Sequence, residues 1–332
     1  MKLVSYIQSQ KARLGALLGG DLIVDLNRAH REFVVLRKNS RRTVLKPLPS
    51  EMVPFLEAGT AAMDEARKTL LFVESERKRG AGDALLRRHV LIPVSKVGIA
   101  APIPRPPKLI AVWVNYDEHA REVTANAPKQ VPLFFTKFPT AVIGSGSPII
   151  LPRISHKVDY EAELAFAIGK RGKDIPEEKA YEHIAGYTIM NDVSARDFSL
   201  RELIGVIGPS DVQKSFDTFA PMGPCLVTRD EIPDPQSLGI RLRIGDELLQ
   251  DSNTRFMIHK IPEIVAYISS IATLEPGDVI TTGTPSGVGF TRTPQRWLRP
   301  GETVRIEIDR IGVLENPVVS EPRPSGSGSE MR

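Results

Sequence analysis

Residues 158–170 read VDYEAELAFAIGK. Side chains along a strand alternate between two faces, so Asp159, Glu161 and Glu163 share one face while Val158, Tyr160, Ala162, Leu164, Phe166 and Ile168 share the other. One face asks for a core, and the other gathers three negative charges that repel unless water, cations or a metal ion offsets them. The stretch predicts a strand whose acidic face either meets solvent or carries something positive.

The chain around it is rich in short β-branched segments. Near the start, KLVSYIQ, ARLGALLGG and DLIVDL read as strands parted by glycine turns, whereas SEMVPFLEAGTAAMDEARKTLLFVESER from Ser50 has helical spacing and predicts two helices. IPRPPK at 103–108 can continue neither a helix nor a central strand, which predicts a connector. Beyond it LIAVWV, AVIG, PIILP, GIRLRIG, DVITTG and ETVRIEID read as strands, with helical patterns at 199–207 and 261–274. The expected fold class is a β-rich α+β protein. A small N-terminal domain over 1–103 is expected to precede a second, larger domain over 104–319, and the Gly, Ser and Pro rich tail over 320–332 is expected to be disordered.

The 332 residues are 41% hydrophobic and 25% charged, an ordinary globular balance. Cys225 is the single cysteine, and its apolar neighbours predict a small buried hydrophobe rather than a nucleophile. No window approaches the ~18 apolar residues of a membrane span, and MKLVSYIQSQ lacks a signal-peptide core, so a soluble cytoplasmic protein is expected. The net charge of +4 is weak evidence for nucleic acid. HREFVVLRKNSRRTVLK, at residues 30–46, has no zinc-ligand pattern or aromatic ladder and reads as a solvated basic insertion.

A hard divalent cation on the acidic strand needs further oxygen ligands. AGYTIMNDVSARD offers Asp192, where an apolar strand gives way to polar residues. In NYDEHAREV, His119 and Glu122 stand three apart, so on a helical turn the carboxylate can orient the imidazole as a general base. The other five histidines sit in no comparable setting. Lys214 in QKSFDTF means little by itself. In DVITTGTPSGVGF, Gly283 and Thr284 follow a strand in a turn that could offer N–H groups and hydroxyls to a carboxylate, or simply join two strands.

In this order, HxxE, DYExE, NDxSARD, KxFDTFxPxGP and TGTPxGVG resemble the fumarylacetoacetate hydrolase family, from KLVSYIQ through IDRIGVLENPV, with 31–88 least like it. The resemblance implies a mixed β-sandwich roll with a divalent metal, magnesium or manganese with calcium as a third candidate, on Glu161, Glu163 and Asp192. Asp159 would stand beside that site. It further implies that His119 and Glu122 activate water on a lid over residues 115–130, mobile without ligand and ordered with it. Lys214 would be catalytic, and Arg196, Ser199, Gly283 and Thr284 would line the substrate site of a homodimer. Two positions depart from the pattern: Ser199 where many relatives have glutamine, and Trp113 where they often have glycine.

What the resemblance implies about function is hydrolysis of a carbon–carbon bond in a 1,3-diketo or 2-oxo acid, the kind of step found in aromatic catabolism. Decarboxylation, hydration or isomerisation at the same centre is the alternative, and a non-catalytic binding protein a remote one. Neither nucleic acid nor membrane is expected as a partner.

Overall fold

The structure, a computed structural model, describes residues 1–37, 47–123, 130–208 and 210–322. A twelve-stranded sheet forms its centre, with its main path running Leu91–Pro93, Leu22–Asp25, Lys11–Leu18, Lys2–Gln8, Ala220–Thr228, Ile184–Asn191, Ala162–Ile168, Val279–Thr281, Leu109–Val112 and Phe134–Thr136. A five-stranded sheet of Glu247–Asn253, Gly239–Ile244, Thr303–Ile308, Gly312–Ser320 and Ile149–Leu151 packs with it. The protein is thus the expected β-rich α+β fold. The 103/104 boundary is not a break in the sheet, because Lys2 and Leu3 pair antiparallel with Val227 and Leu226. At the other end the last strand runs on to Ser320, and Glu321 still donates to the Leu151 carbonyl at 3.0 Å; residues 323–332 of the expected tail lie outside the described residues.

The acidic stretch differs from a single alternating strand. Val158–Asp159 pairs with Ser194–Ala195 in a small separate ladder, and the main strand begins at Ala162. Both its faces are buried. Ala162, Leu164, Phe166 and Ile168 join one core, while Ala165 and Ala167, on the side of Glu163, join a second core with the N-terminal helices. Only the mouth end of that side is acidic, which is why small alanines follow the glutamates along it.

The basic insertion is partly structured. Leu26–Arg37 is a helix whose first turn is held by Asp25 Oδ1, which accepts from the Arg28 N–H at 2.9 Å. Leu26, Ala29 and Phe33 recur at helical spacing and are buried, so apolar periodicity outweighs the charges on the other face. Residues 38–46 lie outside the described residues. The two helices expected after Ser50 are Met52–Glu57 and Gly59–Glu76, followed by a π turn and a short helix to Arg87.

Candidate metal centre and catalytic cavity

Antiparallel pairing sets Ala162 opposite Asn191 and Glu163 opposite Met190, so Glu161 and Asp192 emerge side by side where the two strands end. The ends are laced together: the Asp192 N–H donates to the Glu161 carbonyl at 2.9 Å, and the Glu161 N–H to Asn191 Oδ1 at 3.0 Å. The carboxylates of Glu161, Glu163 and Asp192 all lie within 4.8 Å of one another and are buried.

Two buried lysines and the half-buried Arg196 answer them. Lys214 Nζ donates to Glu161 Oε2 at 2.7 Å and to Asp192 Oδ2 at 2.6 Å. Lys137 Nζ donates to the other Asp192 oxygen at 2.6 Å and to the Val193 carbonyl at 3.2 Å. Arg196 donates to Asp159 Oδ2 at 2.9 Å and to Glu161, and its guanidinium lies 4.3 Å from the Phe290 ring centroid. Burial works against the Lys214 ammonium, but Asp192 and Glu161 outweigh it and hold its pKa above the ordinary lysine value. Burial by itself would also raise Glu161; Lys214 and Arg196 reverse the sign and keep it far below the usual carboxylate range.

Glu163 is different. Burial, then the charges of Asp192 and Glu161, pushes its carboxyl well above the usual range. A cluster in which Glu163 receives no lysine or arginine of its own and crowds against two further carboxylates, and that presents only carboxylate oxygens, fits a hard divalent ion. Glu161, Glu163 and Asp192 are the residues that would hold it. Asp159 stands apart, accepting N–H groups from Tyr160, Gly289 and Phe290 as well as Arg196.

The 279–291 segment closes the far side. The Thr282 N–H donates to the Leu164 carbonyl, which carries the next N–H, that of Gly283, to Glu163 Oε2 at 2.9 Å. Gly283 has φ +82°, and a Cβ there would stand 2.8 Å from Asn115 Cβ, so glycine is required. The Thr284 hydroxyl donates to the Ala162 carbonyl at 3.0 Å and accepts from Gln250 at 2.8 Å. The groups that the sequence suggested for a substrate carboxylate are therefore already engaged in shaping the glutamates. Ser199 is likewise engaged, accepting from the Glu202 N–H at 3.3 Å as the cap of Leu200–Ile204, although it still faces the cavity.

His119 and Glu122 lie on the helix Asp117–Glu122, the described part of the expected lid; residues 124–129 are outside the described residues. His119 Nδ1 is 3.2 Å from Glu122 Oε2, and the other Glu122 oxygen accepts from the Gly287 N–H at 2.9 Å and the Thr291 hydroxyl at 2.6 Å. Burial opposes the Glu122 charge, but hydrogen bonds from His119, Thr291 and Gly287 prevail and hold its pKa below the ordinary value. An ionised Glu122 keeps the proton on Nδ1, leaving Nε2 as a base.

His119, Glu122, Glu161, Glu163, Asp192, Arg196 and Lys214 line one cavity of about 350 Å³, together with Trp113, Val206, Ile207 and Trp297, whereas Lys137 and Asp159 are not part of its lining. The sequence reading missed Lys137. Its only signal is a lysine between phenylalanines in FFTKFP, where an unpaired ammonium would be costly.

Residues 108–319 match the family described as fumarylacetoacetate (FAA) hydrolase C-terminal. The chain is 43% identical over 277 residues to a mitochondrial oxaloacetate tautomerase of Xenopus laevis, covering 82% of this chain and 79% of that one. Among solved structures it is similar to a 5-carboxymethyl-2-hydroxymuconate delta-isomerase from Mycobacterium smegmatis, at 30% identity and TM-score 0.67, with 97% of this chain and 100% of that one covered. It is also similar to a maleylpyruvate hydrolase from Sphingobium sp. SYK-6 in complex with manganese(II) and pyruvate, at 29% identity, TM-score 0.68 and the same coverage. Among the described residues no helix is long and apolar enough to cross a membrane.

Proposed function

Because the chain belongs to the fumarylacetoacetate hydrolase family, we propose that it is a divalent-metal-dependent enzyme that enolises a 2-oxo acid, with keto–enol tautomerisation as its reaction. The observation that carries this reading is the convergence on one cavity of His119, held by Glu122, and of Lys214, held by Glu161 and Asp192, beside three carboxylates. The 43% identity to an oxaloacetate tautomerase supports it.

Bound on Glu161, Glu163 and Asp192, a divalent ion supplies Lewis-acid polarisation of the substrate's oxo group. His119 Nε2 removes a proton from the carbon beside that group, while Glu122 stabilises the imidazolium through Nδ1. Two Lys214 N–H groups are held by Glu161 and Asp192, which leaves the third for the developing oxyanion. The imidazolium then returns its proton to the oxygen through water, and the enol results. Lys137 and Arg196 fix the carboxylates throughout.

A second reading is the carbon–carbon bond hydrolysis implied by the sequence resemblance, favoured by the same His119–Glu122 pair acting on water. The deciding experiment follows oxaloacetate in D2O, by enol absorbance and by deuterium at the carbon beside the oxo group, next to acylpyruvate cleavage. Rapid, His119-dependent exchange without cleavage is expected. Brisk acylpyruvate cleavage with enol–keto conversion no faster than in buffer would replace tautomerase by hydrolase.

A further inference from the structure

The helix Leu200–Ile204 has no buried residue and ends on Gly205 in the left-handed region, at φ 74°. Directly after it come Val206 and Ile207, which are 51% and 48% exposed yet line the catalytic cavity. Branched aliphatic side chains left half in water gain from being covered. Other walls of the same cavity are apolar too: Trp113 and Phe290 pack with Val114, Ala120 and Val123, and Trp297 adds a second indole. The lining therefore combines a charged group, Glu161, Glu163, Asp192 and Lys214, with a set of apolar side chains that includes Val206 and Ile207.

The cations nearer the mouth do not make a second carboxylate receptor. Lys157 is paired with Glu202 at 3.3 Å, and Arg196 is committed to Asp159 and Glu161. Arg201, the remaining arginine among the described cavity residues, is exposed, so a carboxylate it met would stay solvated and gain little.

We infer that the cavity takes a 2-oxo acid whose chain beyond the oxo carbon carries an apolar group, and that Val206 and Ile207 determine this specificity by receiving that group. The inference rests on the carboxylate centre binding the 2-oxo acid head, and it assigns the tail. Oxaloacetate would then be a small substitute for a preferred substrate with an alkyl or aryl arm.

The test uses full-length protein loaded with Mn2+ and titration calorimetry with three oxamates that share one head. These are oxamate, with no arm; N-(carboxymethyl)oxamate, with an acidic arm; and N-isobutyloxamate, with an apolar arm. N-isobutyloxamate is expected to bind about tenfold or more tighter than either of the others, the scale on which apolar pockets discriminate. In a Val206→Ser, Ile207→Ser double variant its advantage over oxamate should shrink to within about threefold, as the covering surface is lost. Because the readout is a ratio within one protein, a general loss of affinity does not imitate the result. Preference for the acidic arm, or an unchanged ratio in the double variant, overturns the inference while leaving the head site standing. If none of the three binds, the 2-oxo acid reading fails and takes this one with it.

Discussion

Lys137 and Asp192 form a fully buried ion pair, Nζ to Oδ1 at 2.6 Å, with both side chains at most 1% exposed. Lys214 holds the opposite oxygen of the same carboxylate at 2.6 Å. Asp192 is thus held on both sides. Removing one partner of a buried pair leaves charge uncompensated, at a cost of about 3–5 kcal/mol. Lys137→Met is expected to lose stability on that scale in urea titrations, a loss that Asp192→Asn made in the same background should partly restore. An unchanged midpoint for Lys137→Met would show that the pair is not a stabilising one.

Glu163 is already driven toward its neutral form by burial and by Asp192 and Glu161. Glu163→Gln should therefore be close to wild type in stability without metal. Adding Mg2+ or Mn2+ to about 100 times the dissociation constant should stabilise wild type by about 2.7 kcal/mol. The variant should show almost none of that gain, and an equal gain would move the metal elsewhere.

That Glu161, Glu163 and Asp192 stand together was legible from the order of the motifs, which also gave the fold, whereas strand alternation alone did not set Asp159 apart from them. Partners of hydroxyls and long cations were not legible. Thr284 and Ser199 have hydroxyls whose engagement depends on chain segments far away or on a cap, and Arg196 could equally have met substrate. Lys137 carries no periodic signal at all. The helix Leu26–Arg37 was hidden by its basic face, although Leu26, Ala29 and Phe33 mark its buried side.

Glu122 both contacts His119 and ties the helix Asp117–Glu122 to Gly287 and Thr291. Glu122→Ala should cost turnover by a factor approaching that of His119→Ala, about a hundred to ten thousand. Unlike His119→Ala, it should also raise amide exchange over residues 117–122, which mass spectrometry would detect. Turnover loss with unchanged exchange would remove the tie from this account.

His30 is buried on the helix Leu26–Arg37, its Nδ1 accepting the Leu48 N–H at 3.3 Å. Burial pushes its pKa down, and Glu65 opposes this only in part. Since the folded value is the lower one, the unfolded chain takes up the proton first as pH falls below about 6.5. The contribution of this group is complete above that pH and is lost as pH falls toward the folded value. Urea unfolding at about pH 7.5 and about pH 5.5 should show a smaller acid loss in His30→Asn than in wild type. Equal losses would exclude His30 as a source.

We propose, from the family resemblance, that the protein is a homodimer. Light scattering at micromolar concentration should give twice the 36.6 kDa chain mass. The monomer mass would refute it.

The pairing of Lys2 with Val227 also has a meaning in time. During synthesis Ile99–Ala100 can pair with Ser5 and Tyr6 about a hundred residues on, but Leu226 and Val227, which complete the same edge at Lys2 and Leu3, come more than a hundred residues later still. The glutamate-bearing strand waits too: its hairpin partner Ile184–Asn191 follows promptly, whereas Val279–Thr281, on its other side, comes more than a hundred residues later. A ribosome stalled before Thr281 would hold a nascent chain that has all three carboxylates and both lysines but lacks the strand Val279–Thr281 and the Gly283 N–H that Glu163 accepts. Chaperone demand should therefore peak late in translation, when those last strands have yet to arrive.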